Sequence, residues 1–119
     1  MKYLMLIKHT EDYRNQEIPA GLHEAMGAFV EENLKSGVLK DTAGLKPTSD
    51  AFKVRQQARK LTTIDGPFTE SKEVVGGYAM IEVASREQAL AMARGFMQIH
   101  LTHWPAFEGE CEVRPLEDM

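Results

Sequence analysis

A chain of 119 residues, 43% hydrophobic and 27% charged, has the balance of a globular protein and the length of a single domain, 1–119. A formal charge of −4 and the lack of any Arg/Lys cluster with interleaved aromatics argue against nucleic acid as a partner, because phosphate binding needs a basic face. The opening apolar run, Tyr3 to Ile7, is too short for a signal-peptide core or for a membrane span of about 20 residues. The single cysteine, Cys111, excludes an internal disulfide, so a cytoplasmic protein with no membrane partner is expected.

Lys2–Lys8 reads as a strand that is apolar on both sides, at Tyr3, Met5 and Ile7 and again at Leu4 and Leu6, and such a strand must be covered on both faces. After a polar connection from His9 to Ile18, Pro19 marks a helix start, where its missing N–H costs little. Leu22, Met26, Phe29, Val30 and Leu34 recur at helical spacing, and Gly37 is the natural stop. Val38–Leu45 reads as a short strand and Lys46–Asp50 as a loop. Phe52–Gln56 and Leu61–Ile64 are strands of a polar hairpin, and Asp65-Gly66-Pro67 is a strong turn signal. In Tyr78–Val83 the side chains alternate, with Ala79, Ile81 and Val83 on one face and Tyr78, Met80 and Glu82 on the other. Ser85 and Gln88 form a capping box that opens a helix with Ala89, Met92, Ala93 and Phe96 on its buried stripe. Pro105 stops that helix within His100–Trp104, and Cys111–Leu116 is the last strand. The order β–α–β–(hairpin)–β–α–β predicts an α+β, ferredoxin-like fold with two helices on one face of a mostly antiparallel sheet.

The segment Asp65-Gly66-Pro67-Phe68-Thr69-Glu70-Ser71-Lys72-Glu73, closing on Gly76-Gly77-Tyr78, carries a long and specific motif. With the MKYLMLI start, Gly44-Leu45 before Pro47, Glu87–Ala91 and the closing Glu112-Val113-Arg114-Pro115, it resembles the DGPF-motif branch of the YCII-related proteins over nearly the whole chain. The resemblance implies a homodimeric α+β barrel, a pocket between the sheet and nearby loops, and a bacterial setting often linked to extracytoplasmic-function sigma factors. Some YCII-related proteins resemble muconolactone isomerases and dehydrochlorinases, for which a His–Asp pair is the proposed catalytic unit. Asp65 lies within the matching motif, and His23 lies near the start of the first helix, where those relatives carry their histidine.

Each candidate has two readings. Asp65 either hydrogen-bonds its own turn, with Gly66 and Pro67 shaping the backbone, or holds a carboxylate at a strand end as general base or binding group. Glu70, with Lys72 and Glu73, is either a solvated patch of weak ion pairs or the second member of an acid/base pair with Asp65. The three-residue spacing of His100 and His103 puts both imidazoles on one side of a helix. They favour the helix C-terminus, or serve a pocket, or begin a metal site that lacks a recognisable third ligand; no metal is expected. Trp104 packs the helix end or a dimer contact, or stacks on a substrate. Cys111 has no basic neighbour to activate it, Lys53, Arg55, Arg59 and Lys60 protect an edge, and Gly76-Gly77 leads into a strand and is no phosphate loop.

The favoured expectation is a small-molecule enzyme or binder with its pocket over the open sheet face and no cofactor. Asp65, His100 and His23 are the catalytic candidates, and Glu70, Tyr78, His103 and Trp104 the substrate-binding ones. Isomerisation or elimination next to a carbonyl is the matching chemistry. The alternative is a non-catalytic regulatory module in sigma-factor signalling. Because two helices cover one face only, Tyr78, Met80 and half of the first strand are left for a homodimer interface.

Overall fold

The computed structural model describes residues 1–10, 12, 16–68 and 72–117. Its elements are β1 (Lys2–His9), α1 (Ala20–Ser36), β2 (Leu39–Gly44), β3 (Phe52–Gln57), β4 (Lys60–Asp65), β5 (Val74–Glu82), α2 (Arg86–His103) and β6 (Gly109–Pro115). Four strands form an antiparallel sheet in the order β2-β5-β1-β6. With the separate β3–β4 sheet set aside, this is the strand order of a ferredoxin-like fold, and both long connections are helical.

Alternation along β1 decides which residues become core. Tyr3, Met5 and His9 are buried and Ile7 half-buried, and the antiparallel register sets Met5 between Ala79 of β5 and Val113 of β6. Ile81 and Val83 continue the same face, and Leu39, Ala89, Ala93 and Phe96 close the cluster from β2 and α2. Met5, Leu22 and Ile81 are fully buried, each contributing about 1.5–3 kcal/mol by leaving water. The strand runs one residue beyond the sequence expectation, so His9 belongs to β1 rather than to the connection after it.

The helices begin and end where local chemistry dictates. Pro19, with φ −59°, occupies the N-cap position of α1, and Gly37 takes the left-handed φ of 82° that ends it, donating its N–H to the Leu34 carbonyl at 3.2 Å. Leu22 is buried and Met26, Phe29 and Val30 half-buried, whereas Leu34, in the last turn, is exposed. In α2 the Ser85 hydroxyl accepts from Gln88 N at 3.2 Å while Ala84 N donates to Gln88 Oε1 at 2.9 Å, the reciprocal arrangement of a capping box. Phe29 meets Phe96 edge-on, with centroids 6.1 Å apart, and joins the two helices.

The other face of the sheet carries Leu4, Leu6, Tyr78 and Met80, all half-buried. A Lys8–Glu112 ion pair at 2.9 Å lies on it. Glu82 finds its cations on Lys2 and Lys40, each at 4.0 Å. Arg114, which its outward direction makes a candidate partner for Glu82, stands opposite Leu4 with β1 intervening. The chain measures 45 × 41 × 20 Å, and its radius of gyration, 16.0 Å, exceeds the roughly 13.5 Å of a compact domain of this length. The β3–β4 hairpin forms a separate two-stranded sheet whose turn residues Ala58 and Arg59 both have positive φ, 52° and 66°.

Candidate functional site

The space between the helices and the sheet is not completely filled. A cavity of about 240 Å³ lies there, bounded by β1, β2, β5, α1, α2 and Phe107. Ala43, Gly44, Gly76 and Gly77 line one end of it. Elsewhere its wall is apolar, with Met26, Phe29 and Met92 supplied by the helices and Met5, Ile7 and Ile81 by the sheet. Among the described residues no Lys, Arg, Asp or Glu lines it. The cavity is thus on the helix-covered face, not over the open sheet face where the sequence reading put it.

His100 is the chemically distinctive group on this wall. Its ring is buried between Phe96 and Phe107, each with its centroid 4.8 Å away. Its Nδ1 is 3.2 Å from the Phe96 carbonyl oxygen, which only accepts, so Nδ1 carries the proton and Nε2 a lone pair. Burial drives the imidazole pKa down from 6.5, against a smaller opposing pull from the Phe96 carbonyl. The ring is therefore neutral at pH 7, a desolvated acceptor or base beside an apolar space.

His9 is the second imidazole on the cavity wall, and sequence reasoning missed it. It is buried, with Nδ1 2.7 Å from the Thr10 carbonyl oxygen, which fixes the same tautomer. Its ring packs directly over Gly76: a Cβ there would lie 1.8 Å from His9 Nε2. The signal was present in the alternation Tyr3, Met5, Ile7, His9, which carries the inward face of the strand one step further.

The remaining candidates are distributed around this centre. Tyr78 contributes to the cavity wall, but its side chain lies on the open face of the sheet, where its hydroxyl donates to Asp41 Oδ2 at 2.9 Å; that bond, together with burial, pushes the phenol pKa up. Thr42, also on the wall, donates its hydroxyl to the Tyr78 carbonyl at 2.8 Å. Trp104 is buried at the C-terminal cap of α2, its N–H donating to the His100 carbonyl at 2.7 Å and its ring 5.2 Å from Phe107. It packs the helix end and does not line the cavity. His103 is exposed, with Nδ1 close to Gly21 of α1, and His23 is exposed on the first turn of α1. His100 and His103 therefore stand in different environments despite their spacing.

Asp65 is exposed at the end of β4 and is not among the cavity residues. The turn after it is seated by main-chain contacts. Gly66 N donates to the Ala51 carbonyl at 2.8 Å, Phe68 N to the Thr48 hydroxyl at 3.2 Å, and a Cβ on Gly66 would lie 1.7 Å from the Thr48 carbonyl oxygen. Lys53 Nζ stands 4.3 Å from the Phe68 ring centroid, a cation–π contact. Glu70 lies outside the described residues. Cys111 is half-buried and its thiol is pushed up to about 11 by burial, so it is no nucleophile at neutral pH. Among the described residues no group of three His, Cys, Asp or Glu side chains is arranged to hold a metal, and no helix is long and apolar enough to cross a membrane.

An antiparallel sheet in this order, two helices over one face and a histidine-bearing cavity between them define a ferredoxin-like α+β protein. The chain belongs to the YCII-related family: the YCII-related domain matches residues 1–101. It is also similar to an uncharacterised protein of Rhizobium meliloti (strain 1021), 35% identical over 91 residues that cover 76% of this chain and 69% of the relative.

Proposed function

We propose that this chain is a cofactor-free small-molecule protein of the DGPF-motif branch that binds its ligand in the cavity between helices and sheet and uses His100 as proton acceptor. One observation carries the reading: a neutral, buried imidazole with a fixed tautomer borders an apolar cavity of about 240 Å³. A general base needs an unprotonated nitrogen within reach of its substrate, and the bond from Nδ1 to the Phe96 carbonyl leaves the His100 Nε2 lone pair for that role. Acid–base chemistry of the isomerase or lyase kind is the matching activity. Asp65 takes part only through the turn, which fits its exposure and the seating of Gly66 and Phe68 on the Thr48–Ala51 segment. That seating also favours the second reading, a non-catalytic ligand-binding module in which the motif is architectural.

A homodimer formed across the open sheet face accompanies this function. It is supported by Leu4, Leu6, Tyr78 and Met80 on one face of a chain only 20 Å thick, a shape that a second copy would complete. A cytoplasmic location agrees with a lone, unreactive Cys111.

The test is a thermal-shift screen of small neutral metabolites. A ligand at a hundredfold over its Kd adds about 2.7 kcal/mol, or about 10 °C for a chain of this length. Shifts that persist unchanged when Ala79→Leu fills the cavity would remove the cavity from the function. Asp65→Asn is expected to leave binding intact; loss of binding in a folded Asp65→Asn protein would return the carboxylate to the site.

A further inference from the structure

Binding in the cavity says nothing yet about what is bound, but the polar groups on its wall restrict the class. The Thr42 hydroxyl there is committed as a donor to the Tyr78 carbonyl, and the Tyr78 hydroxyl, on the open face of the sheet, donates to Asp41. Each imidazole spends its proton on a main-chain carbonyl, His100 on Phe96 and His9 on Thr10. No cation lines the space among the described residues. Among the described residues, the polar side chains around the cavity thus accept hydrogen bonds and have no side-chain N–H or O–H left over to offer. We propose that the cavity takes an uncharged, ring-sized ligand bearing a hydroxyl donor, whose O–H is accepted by His100 Nε2, and that it rejects carboxylates and phosphates. The proposal rests on the cavity being the binding site, as argued above.

Size and desolvation point the same way. An apolar cavity of roughly 150 Å³ suffices for benzene, so 240 Å³ holds one ring with substituents. An anion entering it would lose its hydration without gaining a cation or a side-chain donor from the described residues, a penalty of several kcal/mol by general desolvation arguments. A hydroxyl keeps its hydrogen bond by transferring it to His100, while its ring fills the space between Phe96, Phe29 and Met92. An apolar ligand of the same shape fills the space but leaves that acceptor without a donor.

Three ligands separate these cases: p-cresol, toluene and 4-methylbenzoate share one ring and differ in one substituent. Calorimetric titration of the full chain at about pH 8, above the ordinary imidazole range, should show p-cresol binding about fivefold tighter than toluene. It should also show 4-methylbenzoate binding at least about tenfold more weakly than p-cresol. His100→Phe should still bind toluene but lose the preference for p-cresol, and His100→Gln, which keeps an acceptor, should restore part of it. Equal affinity for p-cresol and toluene in the wild-type chain, or tight binding of 4-methylbenzoate, overturns the ligand class while the cavity stands as a binding site. Binding of none of the three overturns both. Selectivity is measured on the wild-type chain first, so the result does not depend on either variant folding.

Discussion

Gly76→Ala is the sharpest test of how the site is built, because a single methyl group should act through one neighbour. A Cβ at this position would stand 1.8, 2.5 and 3.0 Å from Nε2, Cδ2 and Cε1 of His9, and those are the three nearest heavy atoms. The backbone itself is no obstacle, since only Gly37 among the described glycines has positive φ. The imidazole must therefore turn away, but it is 6% exposed and held at Nδ1 by the Thr10 carbonyl, 2.7 Å away. Overpacking of this kind costs about 1–3 kcal/mol. For a chain of 119 residues each kcal/mol is about 4 °C in Tm, so a drop of about 4–12 °C is expected by differential scanning calorimetry. In a His9→Ala background the sign should reverse: alanine in place of glycine then stabilises by about 0.5 kcal/mol, because the unfolded chain loses freedom. Gly27→Ala is the control, with nothing within 4 Å of its Cβ in mid-helix α1 and a gain of about 0.5–1 kcal/mol expected. Equal destabilisation by Gly76→Ala in both backgrounds, or none in the wild type, would refute the contact with His9.

Ser85→Ala removes the acceptor for Gln88 N and should cost about 1 kcal/mol, a fall of about 4 °C in the same calorimeter. Because burial lowers the His100 pKa from 6.5, the unfolded chain binds the proton more readily than the folded one. The stability this confers is complete above the unfolded value and is lost as pH falls through the lower folded one. Urea titrations should show that acid-side loss shrinking in His100→Phe; an unchanged slope would place His100 outside the titration. Met80→Glu places a charge on the half-buried open face and should convert a dimer to monomers in light scattering. A wild-type chain that is monomeric at micromolar concentration would sink the dimer.

Secondary structure was legible because it is written in local signals. The Ser85–Gln88 box, Gly37, Pro19 and the alternation of Tyr78–Val83 each act over a few residues, and each reappears where it was expected. The inward face of the sheet was legible for the same reason. What period and propensity do not convey is where packing is incomplete. The cavity is lined from three strands and two helices that lie far apart in sequence, and no local pattern announces that coincidence. His9 was overlooked because a histidine beside Thr10 reads as the start of a polar connection. Its side of the strand is decided by Met5 and Ile7, and its room by a glycine 67 residues later in the chain. Asp65 drew attention by its motif, and the motif turns out to be seated on the segment at Thr48–Ala51.

The β3–β4 hairpin pairs with no other strand of the described chain, and Phe52, Val54 and Leu61 on it are exposed. A two-stranded ribbon without a covering layer is marginally stable in water, and its turn holds Ala58 and Arg59 in left-handed backbone, which costs each about 1–2 kcal/mol. Native-state hydrogen exchange should therefore divide the molecule into two classes. The amides linking β1 to β5 exchange only on global unfolding, while those between β3 and β4 exchange by a separate, low-energy opening. Since Gly66 and Phe68 follow directly from β4, their amides should exchange with the hairpin rather than with the four-stranded sheet.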